Sequence, residues 1–153
     1  MTKQILFIAC LSFLSALAFG QTTNPNYDSA LAQSLGADDY GMKMYTMVLL
    51  KTGPNTVEDK AKRDSLFAGH LANIGRLAEM KKLVVAGPFG KNDAGLRGIF
   101  ILNVSTTEAA NELLQTDPAI AAGLLAPELF PWYGSAALSQ YLDDHDKVWK
   151  TKF

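Results

Sequence analysis

Arg63 to Phe89 reads RDSLFAGHLANIGRLAEMKKLVVAGPF, and this stretch decides the fold. Apolar residues fall at Leu66, Phe67, Leu71, Ile74, Leu77 and Ala78, the spacing of one helix face. The pattern ends in Lys81 and Lys82, basic side chains suited to the negative end of a helix. An apolar run from Leu83 to Ala86 follows at once and stops at Gly87-Pro88, so a strand succeeds the helix directly. His70 lies three residues from Phe67 and four from both Leu66 and Ile74. That spacing puts a titratable ring on or beside the buried stripe.

Upstream, Met44 to Leu50 (MYTMVLL) is a strand closed by the turn Thr52-Gly53-Pro54-Asn55. Thr56, with Asp59 three residues on, is the expected N-cap of the helix, which should run to about Lys82. Downstream, Lys91 to Gly95 is a loop and Arg97 to Val104 a third strand. Ser105 or Thr106 caps a second helix that carries Ala109, Ala110, Leu113 and Leu114 and breaks at Asp117-Pro118. A short helical piece from Ala119 to Leu125 leads to a fourth strand, Leu129 to Tyr133, closed by Gly134.

The order β-α-β-β-α-β predicts an α+β fold, the ferredoxin-like plait. Its four-stranded antiparallel sheet carries both helices on one face, with strands one and three central. The prolines agree: Pro88 ends strand two and Pro131 lies in strand four, while the central strands have none. Strand one sets Tyr45, Met47 and Leu49 against Met44, Val48 and Leu50, and strand three sets Ile99 and Ile101 against Phe100 and Leu102. Both faces are therefore apolar, whereas an antiparallel sheet with one wet face alternates cleanly. A second copy packed face to face covers the open side most simply, which predicts a homodimer; the terminal segments are the other candidates.

The chain of 153 residues is 48% hydrophobic and 19% charged, an ordinary globular composition for one domain. Residues 1–20 stand apart from it. Lys3 precedes the apolar run Ile5 to Phe19, and Ala18-Phe19-Gly20 offers small residues for cleavage before Gln21. This is a Sec-type signal peptide, so the protein is expected to be periplasmic or secreted. A lipoprotein signal at Cys10 is the rival reading. Cleavage removes Cys10, the single cysteine, so no disulfide can form. It also removes Lys3 from the 14 basic residues, leaving a slight excess of the 15 acidic ones. No basic patch suggests nucleic acid, and nothing after residue 20 is long enough to cross a membrane. Residues 21–41 read as a polar arm with one helical turn near Ser29 to Ser34, residues 42–135 as the domain, and residues 136–153 as an amphipathic helical tail.

From Met44 to Tyr133 the sequence resembles the YciI-like (YCII-related) proteins, a family of dimeric α/β-barrel fold. The resemblance rests on MYTMVLL, HLANIGRLAEMKKL, the VAGPF turn, GIFILNV with TTEAANELL, Asp117-Pro118, and the closing Phe130-Pro131-Trp132, in that order. It implies a site made of the helix histidine and the Asp-Pro aspartate, here His70 and Asp117, with lyase or isomerase chemistry associated with the fold. The chain departs from the family in its export signal, in Ala119 where an aromatic residue commonly follows Asp-Pro, and in its long tail.

The chemistry of such a pair follows from the side chains. Imidazole titrates near pH ~6.5 and trades protons at neutral pH. A carboxylate bonded to one ring nitrogen fixes the tautomer and makes the other more basic. With no Ser or Cys nucleophile in a motif, proton abstraction from an acidic C–H is the expected reaction, on a small unsaturated or aromatic acid. Tyr45, Gly87, Pro88, Phe89, Arg97 and Trp132 are the candidate substrate-binding residues. Each also has a plainer reading: Gly87, Pro88 and Gly95 as turns, Tyr45, Phe89, Phe130 and Trp132 as core or interface, and Arg97 as a solvated strand end. Asp143-Asp144-His145-Asp146 makes a poor single-ion metal site, because consecutive helical residues point in different directions, and it reads as a solvated acidic stretch. No GxGxxG, P-loop or CxxC pattern occurs, so no cofactor is expected. A non-catalytic binding module and a structural dimer of the envelope are the alternatives. Size-exclusion chromatography with light scattering should return about twice the mass of one mature chain, and a clean monomer overturns the dimer.

Overall fold

The computed structural model describes residues 24–151. The expected signal peptide, its expected cleavage site and Cys10 lie outside the described residues. The polar arm holds more structure than one turn: Asp28 accepts from the Leu31 amide at 2.9 Å and opens helix α1, Ser29–Leu35. Strand β1, Met42–Thr52, follows and is longer at both ends than its apolar centre suggests.

Helix α2 spans Lys60–Glu79 and is capped by Asp59, which accepts from the Ala61 and Lys62 amides at 2.9 and 3.2 Å. Thr56 is thus not the cap. The preceding loop is held by tertiary bonds instead: Gly53 N and Asn55 N donate to Leu124 O and Gly123 O at 2.8 and 3.0 Å. The helix also stops short of Lys82. Lys81 turns left-handed at φ 56, and the Lys81 and Lys82 amides close back on Ala78 O and Leu77 O at 2.8 and 2.9 Å.

Strand β2, Leu83–Pro88, and strand β3, Leu96–Leu102, form an antiparallel pair. Helix α3, Thr107–Leu114, is capped by Thr106, and α4, Pro118–Ala121, by Asp117. Strand β4, Leu125–Ser135, begins well before Leu129 and continues through Gly134. The tail is a 3-10 helix, Ala136–Tyr141, followed by α5, Leu142–Val148, rather than one continuous helix.

The sheet order is β2-β3-β1-β4, that of a ferredoxin-like plait with β1 and β3 central. All three strand prolines, Pro88, Pro127 and Pro131, fall on the two edge strands, where a missing N–H breaks no ladder. The core lies between the sheet and the helices. Val48 and Leu50, Phe100 and Leu102 meet Leu77 of α2, Ala110 and Leu114 of α3, and Ala119 and Ile120 of α4. Each large side chain buried there contributes about 1.5–3 kcal/mol.

The second face is divided. Tyr45, Val84 and Ile101 form a small core covered by Leu138 of the tail, and the Tyr141 hydroxyl donates to Val84 O. Lys43 spans from the Tyr45 ring, 5.0 Å below its Nζ, to Leu35 O at 3.0 Å, which brings α1 to the same end. Met47, Leu49 and Ile99 stay half-buried and Phe130 is 41% exposed. The terminal segments therefore cover one end of this face. Among the described residues no helix is long and apolar enough to cross a membrane.

Candidate functional site

A mid-helix glycine costs about 1 kcal/mol against alanine, and α2 contains two. Gly75 faces open space. Gly69 does not: a Cβ there would stand 2.9 Å from Pro118 Cγ, so the missing side chain lets the Asp117-Pro118 turn sit down on α2. The next residue, His70, then meets the next residue back, Asp117, with His70 Nδ1 2.7 Å from Asp117 Oδ2.

The two carboxylate oxygens of Asp117 serve different partners. Oδ1 accepts from the Ala119 and Ile120 amides at 2.9 and 3.2 Å and caps α4. Oδ2 is left for His70. The Asp117 side chain is 1% exposed and that of His70 12%. Burial alone pushes the Asp117 carboxyl up, but the His70 hydrogen bond, the His70 charge and the two amides outweigh it and hold the group below its ordinary 3.8. Asp117 is thus ionised at neutral pH and can only accept. Nδ1 must therefore carry the proton in the bond, which leaves the Nε2 lone pair available when the ring is neutral. Nε2 makes no hydrogen bond among the described residues, and none of their buried side-chain nitrogens or oxygens lacks a partner, so Nε2 keeps some contact with solvent.

The ring is flanked by aromatic residues. Phe100 of β3 stacks on it at 6.0 Å between centroids and 24°, and Phe67, one turn earlier on α2, meets it edge-on at 6.3 Å. A solvent-accessible nitrogen acceptor, oriented by an ionised carboxylate and walled by two apolar rings, can accept a proton and return it.

The other candidates are grouped elsewhere. Tyr45 and Trp132 face each other at 5.7 Å on the opposite side of the sheet, with Tyr45 fully buried. Gly87, Pro88, Phe89 and Arg97 gather along the β2–β3 edge: Gly87 pairs with Ile99, Pro88 with Gly98, and Phe89 N donates to Arg97 O at 2.9 Å. Phe100 links this edge to the pair, since it stacks on His70 and lies across from Ala86. An open groove of about 600 Å³, lined by Asn55, Thr56, Val57, Lys62, Leu66 and Ala122, contains neither His70 nor Asp117, although Leu66 is one turn from His70. The acidic stretch of the tail lies on α5 with Asp143 and Asp144 exposed, and Asp144 pairs with Lys147 at 2.6 Å. Sequence reasoning missed Gly69 and Phe100. A glycine in mid-helix was the available signal for the first, but Gly75 carries the same signal without the contact.

The YCII-related domain family profile matches residues 44–132, more than half of the chain. No curated protein matches. Among solved structures, 5-chloro-2-hydroxyhydroquinone dehydrochlorinase from Burkholderia phenoliruptrix, in complex with 2,5-dihydroxybenzoquinone, is similar at 24% identity, with 57% of this chain and 92% of that one covered and a TM-score of 0.42.

The bond between His70 and Asp117 has a pH signature. The folded carboxyl titrates below its ordinary 3.8, so its contribution to stability is present above about that pH and is lost as pH falls through the lowered value. Melting temperatures of the protein and of Asp117→Asn, measured from pH 7 down to pH 2, should converge below about pH 4. A gap that stays constant over that range would show that the charge of Asp117 contributes nothing.

Proposed function

This chain belongs to the YCII-related domain family, and we propose that it is an exported, cofactor-free lyase or isomerase. It acts as a homodimer on a small unsaturated or aromatic acid, with His70 and Asp117 as its acid–base pair. One observation carries this reading: Nδ1 of His70 is bonded at 2.7 Å to a buried, ionised carboxylate, while Nε2 is open. In the reaction, Nε2 takes a proton from a carbon made acidic by a neighbouring carbonyl or carboxyl group. The C–H electron pair stays on the substrate. The imidazolium so formed is stabilised by Asp117. Return of the proton at another carbon gives isomerisation; departure of a leaving group with its bonding pair gives elimination and a new double bond. The flanking rings of Phe67 and Phe100 suit a flat, unsaturated substrate.

Export is supported by Lys3, the apolar run Ile5 to Phe19 and the Ala18-Phe19-Gly20 site. N-terminal sequencing of the protein from the periplasm or medium should begin at Gln21, and an intact Met1 terminus would overturn it. A second reading, a binding or structural dimer without chemistry, draws on the Oδ1 bonds of Asp117, which cap α4 whether or not a reaction occurs.

A thermal-shift screen of small aromatic and unsaturated acids, followed by turnover assays on the ligands found, separates the two. His70→Ala should abolish turnover and leave the protein folded. Asp117→Asn retains an oxygen for the cap but presents an N–H to Nδ1, which forces the proton onto Nε2; kcat should fall by about 10²–10⁴. If no ligand is turned over and His70→Ala leaves affinity unchanged, the site is structural.

A further inference from the structure

The Asp117 cap leaves one question of geometry open. The amides that hold Oδ1 belong to α4 itself, so the carboxylate and the short helix move as one body. The cap therefore does nothing to fix where Oδ2 stands relative to α2. Pro118 against Gly69 provides a steric stop on one side but no tether. A tether exists on the other side. Arg76 Nη2 donates to Thr116 Oγ1 and to Asn73 Oδ1, both at 2.7 Å, and Arg76 Nε donates to the same Asn73 oxygen at 3.2 Å. The Thr116 hydroxyl hydrogen is shared between Leu113 O at 2.6 Å and Asn73 Oδ1 at 3.1 Å. Asn73 is 7% exposed, and Arg76 forms no ion pair with a carboxylate among the described residues. Along one helix, Pro118 is thus stopped by Gly69, Asp117 is bonded by His70, and Thr116 is held by Asn73 and Arg76.

We propose that Asn73, Arg76 and Thr116 are positioning residues of the His70–Asp117 pair: the clamp on Thr116 sets the backbone next to Asp117 so that Oδ2 meets Nδ1. The proposal deepens the acid–base reading and rests on it. A displacement of about 1 Å at such a site can cost 10² in rate, so a directional tether one residue away is a functional element. The planar guanidinium is suited to this, because it spans two acceptors in a fixed fork that an ammonium lacks.

The test reads the ring directly, by long-range ¹H–¹⁵N correlation spectra of His70 in Thr116→Val, Thr116→Ser and Arg76→Lys. The parent protein and Thr116→Ser should show Nδ1 protonated and Nε2 bare. Thr116→Val and Arg76→Lys should shift both nitrogens toward the averaged positions of an imidazole exchanging between tautomers. Unchanged ring nitrogens in both of these variants overturn the proposal, as does a shift in Thr116→Ser as large as that in Thr116→Val. Should Thr116→Val fail to fold, Arg76→Lys at an exposed position carries the test. The spectrum needs no substrate. Absence of turnover therefore sinks the proposed function and leaves this result standing, whereas unmoved nitrogens sink the tether and leave the function to His70→Ala.

Discussion

The close approach of the Asp117-Pro118 turn to helix α2 is the constraint on which the rest of the site depends. It needs a residue without a side chain at Gly69, since a Cβ there would stand 2.9 Å from Pro118. Once the turn is seated, an ionised carboxylate is buried, and a buried charge without a partner costs several kcal/mol. Two backbone amides and one imidazole meet that demand. Removing either side chain would leave the other's polar atom unmatched in the interior, so the contact is at once a tertiary link between α2 and α4 and the bond that orients the ring.

The plait explains why this link sits where it does. A βαββαβ chain lays both crossover helices on one sheet face, and here the connection from α3 to β4 packs against α2 on that face. The Asp117-Pro118 turn lies at that contact. The same topology leaves the second face short of cover, and the chain supplies part of it from its own ends. Leu138 and Tyr141 of the tail, and α1 through Lys43, close the Tyr45 end. The apolar remainder at Met47, Leu49, Ile99 and Phe130 is the part of the surface available to a second copy.

Strand order and the central position of β1 and β3 were legible because proline placement and element order are both local signals. Other features were decided by partners distant in sequence. Thr56 looked like a cap, yet Gly53 and Asn55 are held by Gly123 and Leu124, and the helix waits for Asp59. Alternation correctly grouped Tyr45 with Met47 and Leu49, and Val48 with Leu50, but two apolar faces gave no sign of which one the helices cover. That is why Tyr45 and Trp132 stand among the candidate substrate-binding residues as well as the core or interface ones, whereas the sheet separates them from His70. For the site, the sequence offered a histidine on a buried stripe and an aspartate at a helix break; their contact required the shape of Gly69, which nothing in α2 distinguishes from Gly75.

Several donors on α2 could satisfy Oδ2, and histidine differs from them in what it leaves over. Histidine bonds through one nitrogen and presents the other outward, in a ring whose preferred tautomer is set by the bond it makes. The surroundings favour the same distinction. Phe100 stacks on the ring and Phe67 meets it edge-on, and the side chain keeps 12% exposure. The proposed proton transfer uses this arrangement, with one nitrogen held by the carboxylate and the other left to meet a substrate proton.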